Sequence, residues 1–349
     1  MKQLTSRLLL LCTMACLPLA EAWSIGSIST KEKQEVFRFS KIKANSVLLL
    51  SKDFGNITIT QWDSNEILLE RKLTVSAPTA EKAEKKIANR TLKPRNVGNT
   101  YSFEIQSVST DEASDGKYNV DDVWTVYVPR DKCSFDITNK FGDVTFTNNF
   151  RCTYLKADVH FGTLSVQEVQ ADDRCKIDVK HGSLKIGSIN KATLYIGFTN
   201  VNIARADELN FTLKFSNMIV KHLDRGEGET SFSELTIASL DRSLELLKCG
   251  HGKVDVTLGN ANTFENLSAS SSFTDINLFL PDKVRAAYNI EACHGNIKIK
   301  SPVCSTYTQE GSTGNKFISK SSGYLGPDPT PKARMDISVK FANVTVKNK

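Results

Sequence analysis

HGSLKIGSINKATLYIGFTNVNIARADELNFTLKFSNMIV, residues 181–220, holds three copies of one short pattern: HGSLKI at His181, FTNVNI at Phe198 and FSNMIV at Phe215. Each begins with a flat ring, follows it with a small residue and then a polar one, and ends on an apolar, free, apolar alternation. Period-2 alternation places one set of side chains on one face of a strand. A ring and a small residue in front of it mark a corner.

The same pattern extends in both directions. Further copies start at Phe54, Phe141, Phe161, Phe232, His251, Phe273, His294 and Phe341. From Phe141 to His294 the steps are 20, 20, 17, 17, 17, 19, 22 and 21 residues. A repeat near 19 residues, with a second alternating run in most units (CKIDVK, LNFTLKF), indicates a solenoid of short parallel strands. The predicted class is all-β, a parallel β-solenoid behind a β-rich N-terminal cap. Equivalent residues then stack at about 4.8 Å. The ring positions are expected to form an internal ladder at a corner, with the small neighbour supplying positive φ where it is glycine.

This reading accounts for three of the five histidines. His181, His251 and His294 occupy ring positions several turns apart, about 20 Å between the first two at strand spacing, which is too far to share an ion. His160 and His222 have no evident partner in the sequence. The third position of the pattern is a polar column rich in Asn and Asp. It fits either a calcium or glycan ladder or plain turn chemistry, and turn chemistry is the simpler account.

The N-terminus has the form of an export signal. Lys2 and Arg7 precede an apolar run from Leu8 to Leu19, and Ala20 to Ala22 offer small residues for cleavage before Trp23. Lipidation at Cys16 is the alternative. The apolar run is too short to span a bilayer. Cleavage takes the net charge from +6 to +5, with signs interspersed, so neither a nucleic-acid partner nor a second membrane anchor is expected. Cys133, Cys152, Cys175, Cys249, Cys293 and Cys304 lack any CxxC spacing. Most are expected to serve as small buried apolar residues, with disulfides an open alternative.

The division that follows is a signal peptide at 1–22, a β-rich cap at 23–130, the solenoid at 131–300, and a loop excursion with one last repeat at 301–349. The cap contains one expected helix, 79–92, and a polar loop at 109–122. No nucleophile elbow, zincin helix or phosphate loop is present, so neither a catalytic residue nor a cofactor or metal is assigned. Lys156, Asp158, Lys176 and Asp178 are outward charges at matching places in successive turns and form the expected contact face for a surface protein or glycan. A polysaccharide-active enzyme would use the same acids, with Asp143, and the same lysines. A structural or signalling envelope protein without a ligand is the third reading. The oligomeric state is left open.

DFGNITITQWD (53–63), VWTVYVPRD (123–131) and KFGDVTF (140–146), followed by the run of corner motifs, resemble a bacterial family of exported β-solenoid domains, the "putative adhesin" or head-GIN-like domains. The resemblance covers most of the mature chain. It implies this fold, an envelope or surface location and no catalytic residues; it carries no ligand.

Overall fold

The structure is a computed structural model, and it describes residues 28–107, 118–300, 308–311, 317–326 and 331–349. The signal segment, most of the polar loop and Cys304 lie outside these residues.

Three strands open the chain: β1 (Ser29–Ser40), β2 (Ser46–Lys52) and β3 (Ile57–Trp62). β4 (Glu66–Ala77) leads to the helix α1 (Ala80–Ala88). The helix starts where expected, with the Thr79 hydroxyl accepting from the Lys82 N–H at 3.3 Å. It ends four residues earlier than the sequence suggests, because Arg90 and Leu92 are buried alternately as β5 (Arg90–Val97) pairs with β6 (Thr100–Ser107). β7 (Asn119–Pro129) takes the end of the supposed polar loop into an antiparallel pairing with β4, Asn119 opposite Ser76.

The repeats follow as β8 (Cys133–Lys140), β9 (Val144–His160), β10 (Thr163–Lys180), β11 (Ser183–Gly197), β12 (Asn200–Lys214), β13 (Asn217–Leu258) and β14 (Asn266–Leu280). Each turn pairs in parallel with the next, as in Ile177 opposite Leu194 and Leu194 opposite Phe211. Inward alternating residues such as Val159, Ile177, Leu194 and Leu213 are fully buried. Together they make one continuous core through the stack. Gly228 belongs to this core: a Cβ there would lie 2.3 Å from the Phe211 ring, which fills the space.

Chain order and spatial order part at both ends. β2 and β3 sit between β8–β9 on one side and β6–β7 on the other. Residues 46–62, assigned to the cap, are therefore a full rung of the stack. At the other end β15 (Ala286–Cys293) and β16 (Ile297–Lys300) form the outer rung. The antiparallel pair β17 (Thr308–Gly311) and β18 (Ile318–Leu325) lies against β15, so the expected loop excursion contains a sheet-edge cover. The final strands β19 (Arg334–Lys340) and β20 (Val344–Asn348) slot between β14 and β15–β16. The last repeat in sequence is thus not the last in space.

The ring column exists, but it is external. Rings stack in unbroken order from Phe54 through Phe141, Phe161, His181, Phe198, Phe215, Phe232, His251, Phe273, Phe341 and His294 to Phe317. Within the repeats the centroids are 4.6–5.0 Å apart. Phe161 is 50% exposed and Phe198 54%. The reason lies in the backbone. From Phe141 onward the motif's ring residues themselves hold positive φ, 56° at Phe141 and 51° at Phe215, which throws their Cβ atoms outward from the corner. At Gly162 the next residue is small for a different reason: a Cβ would sit 2.0 Å from the Gly142 carbonyl oxygen of the adjacent turn.

Left-handed backbone costs an ordinary residue roughly 1–2 kcal/mol. A stacked aromatic pair returns about 0.5–1.5 kcal/mol. In a continuous column each ring accounts for about one such contact, so stacking offsets the corner strain. The backbone N–H groups of the ring residues also bond across to the next turn's strand end, as that of Phe161 does to the Lys180 carbonyl at 3.0 Å.

Candidate functional site

Two outward surfaces carry chemistry. The first is the charged face of β8–β12. Alternation sends Lys156, Asp158 and His160 out from β9, and parallel register sets Lys156 beside Lys176, Asp158 beside Asp178 and His160 beside Lys180. The four residues singled out from sequence therefore share one face on two adjacent turns. Lys156 reaches both oxygens of Asp136 at 3.0 Å. Lys176 lies 5.0 Å over the Tyr195 ring. Lys180 contacts Asp178 Oδ2 at 3.2 Å. His160, which looked partnerless, has Nε2 2.9 Å from Asp158 Oδ1. Its location beside a motif Phe was visible in the sequence; the i, i+2 pairing with Asp158 was the missed signal.

Asp143 does not join this face. It stands in the corner's polar column, where Oδ1 accepts from the Thr163 N–H at 2.7 Å. Asn56 does the same for the Asp143 N–H at 2.8 Å, and Asp275 for the Asn343 N–H at 2.8 Å. The polar column is turn chemistry, with the bonded N–H on the neighbouring turn rather than the residue's own.

The second surface is the exposed ring ladder with its polar column. A shallow trough of about 660 Å³ runs beside Phe198, Phe215, Phe232 and His251. The ring faces are taken by their neighbours, so only ring edges meet solvent. His181 and His251 are each stacked between two phenylalanines and do not approach each other.

A buried charge cluster under the first rungs was not foreseen. Arg71 grips Asp122 with Nε and Nη2 at 2.9 and 2.8 Å, and reaches Glu35 at 2.8 Å. The Trp124 indole N–H donates to the same Asp122 at 2.8 Å. Lys52 donates to the carbonyls of Asn56 and Asp122. Burial lowers its pKa to about 7, against the partial support of Asp122. Lys52, Arg71, Asp122 and Trp124 are buried and hold β2, β4 and β7 together, so the cluster is structural.

Cys133, Cys152, Cys175 and Cys249 are buried and free, and Cys293 is free and half-buried. Burial pushes the Cys133, Cys152 and Cys175 thiols up to about 12, which leaves them unreactive. Among the described residues no helix is long and apolar enough to cross a membrane.

The family model described as Toastrack DUF4097 matches residues 48–324. Among solved structures, a "putative cell adhesion protein" from Clostridium sporogenes ATCC 15579 is 11% identical, with 91% of this chain and 100% of that chain covered and a TM-score of 0.22. A "putative adhesin" from Bacteroides fragilis NCTC 9343 is 12% identical, covering 91% and 97%, with a TM-score of 0.29. A "putative lipid binding protein" from Parabacteroides distasonis ATCC 8503 is 9% identical, covering 90% and 96%, with a TM-score of 0.40. Comparison with curated proteins gave no match.

Proposed function

The chain belongs to the Toastrack DUF4097 family, and from that premise we propose that it is an exported, non-enzymatic module that binds an extended protein or glycan at the cell envelope. The observation that carries the reading is the shape of its surface. Parallel stacking repeats each outward position at strand spacing over many turns, so the chemistry is spread along open tracks that run from turn to turn. Catalysis needs convergent groups around one reacting atom. A long, repetitive track suits a partner that is itself long and repetitive, with modest contacts summed along it.

The contact face in this reading is the one carrying Lys156, Asp158, Lys176 and Asp178. The export signal read from residues 1–22 supplies the location. Charge reversal at Lys156 and Lys176 (Lys156→Glu with Lys176→Glu) tests it. Binding of the folded protein to envelope fractions or a glycan array should fall at least several-fold, and the remaining binding should lose its salt dependence. Unchanged binding in the double variant would remove this face from the function.

A further inference from the structure

We propose that Asp158, His160 and Asp178 form a binding site for a divalent transition cation of the zinc type, set into the charged face. The backbone makes the template. Asp158 and His160 are two apart on β9, so both project from the same side, and Asp178 is the register partner of Asp158 on β10. One donor atom from each residue lies within 4.8 Å of the other two.

The present polar contacts leave this group unfinished. His160 Nε2 and Asp178 Oδ1 are both shielded from solvent, and neither has a hydrogen-bond partner. The 2.9 Å approach of His160 Nε2 to Asp158 Oδ1 is therefore close without being an aligned hydrogen bond. Shielded polar atoms left unpaired are costly, and an ion is one of the standard ways they are satisfied. The nearby ammonium groups are mostly engaged in other directions. Lys156 is held by Asp136 and Lys176 by the Tyr195 ring. Lys180 takes Asp178 Oδ2 and leaves Oδ1 without a partner. Lys140 on β8 and Lys180 on β10 are the register neighbours of His160 on its two sides.

One imidazole and two carboxylates suit zinc and its neighbours, whereas calcium prefers an all-oxygen shell of six to eight ligands. Three protein ligands also leave a coordination position open toward solvent, the arrangement of a site that takes an outside ligand. On the surface-binding reading above, that position would accept a carboxylate from the partner. The ion's own binding does not depend on that reading.

The test is a titration of the mature chain with zinc chloride, followed by calorimetry and by thermal melting, with calcium chloride in a parallel arm. One zinc per chain at micromolar affinity is expected, with a rise in Tm, and no comparable response to calcium. Asp178→Asn and His160→Gln should each weaken zinc binding at least tenfold and abolish the Tm rise, since stabilisation by a ligand requires binding to the folded state. Both replacements are close in size to the native residues, and the melting curve without metal reports whether they fold. His251→Phe is the control and should bind as the native protein does. Absence of stoichiometric zinc binding would overturn the site. So would binding that survives both substitutions, or binding lost equally in the His251 variant. Loss of envelope attachment on chelation would support the partner role, while attachment that ignores chelation would sink that role and leave the metal site intact.

Discussion

At the scale of single residues, the corner rings test how strain and stacking balance. Phe215 holds φ 51° and stacks between Phe198 and Phe232. Phe215→Ala keeps the left-handed backbone and loses both contacts, so it should destabilise the protein by roughly 1–3 kcal/mol. Phe215→Gly loses the same contacts but relieves the strain, and should cost less than alanine. That order reverses the usual one for a strand, where glycine is the worse choice. Phe215→His should be close to neutral, because His181 and His251 already serve in the column. Denaturant midpoints for the three variants decide the matter. Alanine outperforming glycine would mean that the left-handed corner holds no strain for stacking to offset.

Lys52 makes a second residue-scale prediction. Its folded pKa is about 7, against the ordinary lysine value of 10.5. Between those values the unfolded chain holds a proton that the folded chain has released, so stability rises with pH. The three thiols work in the opposite sense. Cys133, Cys152 and Cys175 have folded values near 12 against 9.0, so from pH 9 upward the unfolded chain has lost protons that the folded chain keeps. Stability should therefore climb from pH 7, peak near pH 9 and decline beyond it, since three thiols outweigh one ammonium. In Lys52→Met the climb between pH 7 and 9 should flatten while the decline above 9 remains. A variant with the native slope below pH 9 would assign that slope to other groups.

At the scale of elements, the sequence showed most of what local chemistry controls. Ring, small residue and alternation marked each corner and strand from Phe141 to Phe273, and Thr79 marked the start of α1. The place of Asp158 beside Asp178 followed from the repeat length alone. What escaped was set by contacts distant in the chain. The end of α1 is decided by the pairing of β5 with β6, which no local signal announces. Phe317 caps the ladder by stacking on His294 at 4.7 Å, yet the residues after it break the motif. The ring column was expected inside, because aromatic residues are usually core residues. Its outward direction depends on φ at the ring itself, which a bulky residue rarely adopts. The charged face was legible as a set of residues, but His160 joined it only once alternation and register were considered together.

At the scale of the molecule, interleaved ends solve the problem that every solenoid faces. An open terminal rung presents unpaired N–H and C=O groups and invites edge-to-edge aggregation. Here β15 of the outer rung is covered by β18, and β19 and β20 fill the strand-wide gap between that rung and β14. The C-terminal repeat is therefore a keystone with a pairing partner on both sides. Its inward residues Met335, Ile337, Val339, Val344 and Val346 are all buried. A chain ending at residue 330 should keep the turns from β8 to β13, which have their own neighbours, and lose protection in β14, β15 and β16. Hydrogen exchange should show that pattern, together with a lower Tm and a tendency to associate. A synthetic peptide of residues 331–349, added in excess, should enter the slot and restore both the protection and the Tm, because it supplies two strands in the register the slot demands. The same peptide with its order scrambled should do neither, since a one-residue slip turns the buried face outward. If the shortened chain is as stable as the full one, or if the scrambled peptide rescues it equally well, the last repeat is an appended strand pair and the end of the stack is closed by β17 and β18 alone.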